Sequence, residues 1–165
     1  MQSRIDNLKV APSLGPLMAG FERYVRQSDL ERPLIELVKL RASLMNGCAY
    51  CVDMHTKVAR SLGETEQRLY AVSLWRETPF YSERERAALA WTEAVTLVSV
   101  DQVPDDVYEV ARQHFTEKQL VDLTVAIAAI NTWNRFAIAF RTVPGTFELA
   151  DSPDARHTAD ASTSG

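Results

Sequence analysis

The sequence predicts an all-α fold, a compact bundle of about six to seven helices. Apolar residues recur at helical spacing through most of the chain. No stretch sustains the period-two alternation, bounded by hairpin turns, that strands require. With 165 residues, 46% hydrophobic and 24% charged, the chain can bury a proper core and reads as an ordinary globular protein, so one domain over residues 1–149 suffices.

Taken in order, Leu14, Leu17, Met18, Phe21 and Val25 mark a first helix over 14–27, and Ser28 to Pro33 a connection. Pro33 is tolerated in a first turn. After it, Leu34, Leu37, Val38, Leu40, Leu44 and Met45 form the apolar face of a helix that contains Glu36 and stops at Asn46-Gly47. The next helix begins around Cys48, runs through Val52, His55, Val58 and Ala59 to Leu62, and ends at Gly63, a natural left-handed cap. A shorter one follows Glu64-Thr65. Ser82 with Glu85 makes a capping box for a helix over 83–98 that turns Ala88, Leu89, Trp91, Ala94 and Leu97 inward. Pro104-Asp105-Asp106 opens a helix reaching about Phe115. Thr116 with Gln119 caps the last and longest helix, apolar nearly all round from Val121 to Ile130 and expected at the centre of the bundle or at a subunit interface. From Pro144 the pattern fails, and residues 150–165, rich in Ser, Thr, Asp and Ala, read as a flexible tail.

A formal net charge of −4 argues against nucleic-acid binding. The first ten residues carry Arg4, Asp6 and Lys9 without an unbroken apolar stretch, so no signal peptide or anchor is expected. No segment is expected to reach the length of a membrane span. The only two cysteines, Cys48 and Cys51, lie three residues apart in a chain without an export signal. That combination predicts a cytoplasmic protein whose cysteines are catalytic or metal-binding rather than a structural staple.

Cys48 and Cys51 share one turn and can close a disulfide with little backbone movement. A helix N-terminus favours thiolate over thiol, and on that ground Cys48, nearer the start, is the more activated of the two. His55 follows Cys51 by four residues on the same face, where its imidazole can take a thiol proton. Glu36 reaches the same place only if its helix and the next pack as a hairpin. It is otherwise a solvated charge or a partner for Lys39 or Arg41. Asn131-Thr132-Trp133-Asn134-Arg135 reads as a polar network inside the bundle. Trp75, Phe80, Tyr81 and Trp91 suit either a pocket wall or core packing, while Tyr50, between the cysteines, is placed to gate them or donate a hydrogen bond.

The run from Glu36 through Asn46-Gly47-Cys48-Ala49-Tyr50-Cys51 to His55 resembles the alkylhydroperoxidase D-like (AhpD-like) proteins of the carboxymuconolactone decarboxylase superfamily. Their redox signature is a Glu, eleven residues, Cys-x-x-Cys, three residues and His, and each element has a counterpart here. The likeness continues through Arg76 to Phe80, Glu83 to Ala87 and Ile130 to Arg135, covering about residues 33–143. It implies an all-helical fold assembled into trimers or hexamers, and a cofactor-free peroxidase that reduces organic hydroperoxides through a dithiol/disulfide cycle. It further implies that Cys51 attacks the peroxide, Cys48 resolves the sulfenic acid, Glu36 and His55 relay protons, and an external dithiol or protein reductant restores the pair. Some peroxidases of the family carry His where this chain has Tyr50. The decarboxylase branch lacks the Cys pair, so lactone decarboxylation is not expected. The alternatives are a general thiol-disulfide oxidoreductase, a redox sensor without turnover, and an interaction protein in which Cys48, Cys51, His55 and Glu36 hold zinc.

Overall fold

In the computed structural model, which describes residues 2–149, helices carry the chain and no strand occurs among the described residues. They are α1 (Asn7–Val10), α2 (Leu14–Arg26), α3 (Arg32–Asn46), α4 (Ala49–Ser61), α5 (Glu66–Ala71), a 3₁₀ segment Val72–Glu77, α6 (Glu83–Thr96), α7 (Val98–Asp101), α8 (Asp105–His114) and α9 (Glu117–Phe140). The tail expected over 150–165 lies outside the described residues.

The predicted caps are where the helices begin and end. Ser82 and Glu85, then Thr116 and Gln119, satisfy one another's backbone N–H groups as reciprocal capping boxes at α6 and α9. Gly47 (φ 70°) closes α3 in the left-handed region. Its N–H and that of Cys48 return to the carbonyls of Leu44 and Ser43, so the chain reverses over two residues and Cys48 becomes the N-cap of α4. Three departures stand out. The single turns α1 and α7 and the 3₁₀ segment carry no strong apolar period and were not expected. The helix predicted over 83–98 ends at Thr96, and Leu97, a non-helical cap, turns outward and is exposed instead of buried. Finally α9, at 24 residues, is long and apolar enough by length and composition to cross a membrane, contrary to expectation. Its packing against α2, α3, α6 and α8 gives that apolar length a place in the protein core.

Helix α3 sits at the centre, packed on α4, α6 and α9. Leu34, Ile35 and Val38 join Val25, Trp91, Leu123 and Ile127 in one apolar cluster, while Leu37 and Leu40 join Leu69, Val72, Trp75 and Tyr81 in another. At about 25 cal/mol per Å² of apolar surface, such burial contributes more than any other interaction to holding the bundle together. Between the two faces runs a buried polar stripe, Glu36, Lys39 and Ser43, one helical turn apart. Buried polar groups need partners. Those three find theirs on α4, α2 and α9.

Candidate active site

Cys48 and Cys51 are joined as a disulfide, with Cα atoms 5.3 Å apart. The Cys48 sulfur also accepts the Cys51 backbone N–H (3.4 Å), acting as the N-cap of α4. Both residues are nearly closed to solvent, 1% and 2% exposed, and pack on Ala42 and Ile130. They differ in what they face. Cys51 lines a cavity of about 490 Å³, whereas Cys48 is not among its walls.

Across the α3–α4 hairpin, His55 Nδ1 lies 2.7 Å from Glu36 Oε2, both side chains buried. A carboxylate can only accept, so the proton of this bond sits on Nδ1 and the lone pair on Nε2. Nε2 is itself buried and has no hydrogen-bond partner among the described residues. Burial alone pushes the Glu36 carboxyl up. The His55 imidazole, its bond to Glu36 and the charges of Lys39 and Arg32 outweigh that and hold the carboxyl below its ordinary value.

The cavity continues past this pair to Lys39 and Glu22, which form a 2.7 Å ion pair between α3 and α2. Its apolar walls are Met54, Val58, Trp133, Phe136 and Phe147. Tyr50 lines it beside Cys51, close to the dithiol as its place in the sequence required. Phe147 is brought there by α4: Lys57 Nζ donates to the Phe147 carbonyl and to Asp53, which in turn accepts the Gly145 N–H. Of the aromatics weighed from sequence, Trp75, Phe80 and Tyr81 belong to one core cluster and Trp91 to the other, so packing is their role. Arg76 and Arg86 stack over the Trp75 ring. Glu36 pairs with His55, while Lys39 goes to Glu22 and Arg41 to Glu93. Glu22 and Lys39 were not anticipated as part of this site. A visible signal was the charged pair Glu36 and Lys39, one turn apart among the apolar residues Leu34 to Leu40. The run 131–135 does build a polar network. Asn46 donates to Asn131 and Asn134, and Asn134 donates to Ser43. Among the described residues no three His, Cys, Asp or Glu side chains are grouped to hold a metal ion.

The sequence profile of the carboxymuconolactone decarboxylase family matches residues 12–94, a span that contains Glu36, both cysteines and His55. The chain belongs to that family. The chain is also 47% identical over 139 residues to an uncharacterized protein of Bacillus subtilis, YdfG, covering 84% of this chain and 95% of the relative. The crystal structure of ATU0492 from Agrobacterium tumefaciens superposes with a TM-score of 0.85 at 46% identity, over 88% of this chain and all of the other. ATU0492 is a protein of unknown function, suggested to be an antioxidant defence protein AhpD. A peroxidase-related protein from Ralstonia eutropha, described as an alkylhydroperoxidase AhpD core, shares the fold at a TM-score of 0.75 and 22% identity, over 85% of this chain and 75% of its own. Family membership is thus of the AhpD-like kind, and it accounts for the all-helical architecture.

Proposed function

We propose that this protein is a cysteine-based peroxidase that reduces organic hydroperoxides, with Cys51 the attacking thiol. The observation that carries this reading is the placement of Cys51 on a largely apolar cavity, one helical turn from a histidine whose free nitrogen has no other partner among the described residues. In the reduced protein, His55 Nε2 takes the Cys51 proton, and ionised Glu36 stabilises the imidazolium formed. The thiolate attacks the distal peroxide oxygen, the O–O bond breaks, and the alkoxide leaves as alcohol by taking the proton held on His55. Cys51 is now a sulfenic acid. Cys48 attacks its sulfur, expelling water and closing the disulfide. Two thiols and one hydroperoxide thereby give one disulfide, one alcohol and one water. An external dithiol returns two electrons and two protons by exchange.

The near-complete burial of both cysteines favours a small oxidant over a protein disulfide as the oxidising partner, and so supports this reading over a general oxidoreductase. We further propose a cytoplasmic setting, which keeps the reductant supplied, and a homo-oligomeric assembly, trimeric or hexameric. The test is a single-turnover reaction of the reduced protein with cumene hydroperoxide, counting thiols and locating the product by mass spectrometry. The expected result is stoichiometric loss of both thiols into the Cys48–Cys51 disulfide. Cys48→Ser should stop at a Cys51 sulfenic acid, and Cys51→Ser should not react. A Cys51→Ser protein that consumes hydroperoxide as fast as the unaltered chain sinks the mechanism.

A further inference from the structure

Among the described ion pairs of a lysine or arginine, Lys39–Glu22 is the one with both partners on the wall of the dithiol cavity. The Lys39 side chain is 7% exposed, its ammonium is 2.7 Å from Glu22 across α2 and α3, and both residues share the cavity wall with Cys51 and His55. Lys39 also follows Glu36 by one turn on the same helix face, so the two charges are neighbours. A second, smaller cavity lies between α2 and α3, lined by Glu22, Arg26, Arg32, Glu36 and Lys39. We propose that Lys39, clamped by Glu22, is a positioning residue of the dithiol site, acting on Cys51 through the Glu36–His55 pair. The proposal rests on the peroxidase reading for its purpose, but not for its test.

A buried ion pair is expensive to form, and apolar residues of similar size often hold two helices together as well or better. A tether between α2 and α3 therefore does not require these charges. What the ammonium supplies is a field at Glu36. The charged groups facing Glu36 are His55 from α4, Lys39 and Arg32 from α3, and Glu22 and Arg26 from α2 across the shared cavities. Burial favours a neutral Glu36, and a neutral carboxyl gives no electrostatic support to an imidazolium at Nδ1. Without that support, proton transfer from Cys51 to His55 Nε2 becomes less favourable and less thiolate is present. Glu22 keeps the ammonium in place beside Glu36, where an unclamped lysine would swing toward water.

The test is the pH dependence of iodoacetamide alkylation at Cys51 in the fully reduced protein, read by mass spectrometry. Alkylation reports the thiolate whether or not the protein turns over a hydroperoxide, so a failed peroxidase assay leaves this result interpretable. Lys39→Met removes the charge at similar volume. It should slow alkylation about tenfold at about pH 6, the equivalent of one unit in the apparent thiol pKa, and leave the rate above about pH 9.5 unchanged. Lys39→Arg should return the profile toward that of the unaltered protein. The double variant Glu22→Leu/Lys39→Met, which leaves no orphaned charge, should shift the profile in the same direction by a smaller amount, since an opposing anion goes with the ammonium, and serves if the single variant does not fold. A profile that superimposes on the unaltered one, or a loss of the same factor at every pH, overturns the proposal in favour of a purely structural pair.

Discussion

At His55 one ring nitrogen is bonded to Glu36, and the other is buried without a partner among the described residues. Leaving a polar atom in that condition costs about 1–3 kcal/mol, which supports the proposed proton transfer at that nitrogen. Replacing His55 with Ala should slow hydroperoxide-driven disulfide formation about 10²–10⁴-fold at neutral pH, in stopped-flow tryptophan fluorescence. The deficit should close as the pH rises through about 8.5, where a free thiol ionises unaided. Glu36 gives a second prediction, for stability. Burial raises its carboxyl and His55, Lys39 and Arg32 lower it more, leaving it below its ordinary value of 4.5. The folded state therefore binds the proton more weakly than the unfolded chain. The stabilisation from Glu36 is fully present above about pH 5 and is lost as the pH falls through the folded value. Glu93, which burial raises and Trp75, Arg76 and Arg41 lower further, behaves the same way. Urea unfolding between about pH 6 and pH 3 should show this decline, with a shallower slope in Glu36→Gln.

Among the helices, the α3–α4 hairpin aligns the site, and the asparagine network holds its turn. Asn46 precedes the Gly47 reversal and is bonded to Asn134 of α9 at 2.8 Å, while Asn134 also donates to Ser43 of α3 at 3.1 Å. Asn134 is fully buried, and its loss takes one hydrogen bond each from Asn46 and Ser43, which keep only Asn131 and the Lys39 carbonyl. Asn134→Ala should lower the unfolding free energy by about 1–3 kcal/mol in urea titration, and should loosen Cys48, whose N–H bonds the Ser43 carbonyl. An Asn134→Ala protein as stable as the parent would show the network to be incidental. Gly47 after α3, Gly63 after α4 and the capping boxes of α6 and α9 were readable from sequence because capping is local, made within three or four residues of the helix end. Leu97 departs from its expected burial because helical periodicity continues past Thr96 on paper, while the backbone there leaves the helix.

For the whole molecule, the surface carries an apolar stripe on α2. Leu17 (65% exposed), Phe21 and Tyr24 recur at intervals of four and three residues, while Met18 and Val25 of the same helix are buried. A helix apolar on two faces has one for its own core and one for another surface. The proposed homo-oligomer predicts that the second face is covered by another copy of this chain. Light scattering of the unaltered protein should give a multiple of the 18.5 kDa subunit mass. Leu17→Glu should shift it toward the subunit while circular dichroism stays helical. A monomeric unaltered protein would remove the assembly from the account.

The all-α class, the main helices with their caps and the association of Cys48, Cys51 and His55 along α4 were legible without coordinates, because each depends on periodicity or spacing within one helix. Three things came only from the tertiary structure. One is that Glu36 reaches His55 rather than Lys39 or Arg41, because hairpin packing, unlike spacing, chooses among partners. Another is that Cys51 rather than Cys48 faces the cavity, where a dipole argument along one helix favours Cys48. The last is the cavity itself, assembled from Trp133 and Phe136 of α9, Phe147 beyond it, and the Lys39–Glu22 pair between α2 and α3. These groups are far apart in the chain, and their meeting is decided by how helices pack, which no local pattern encodes.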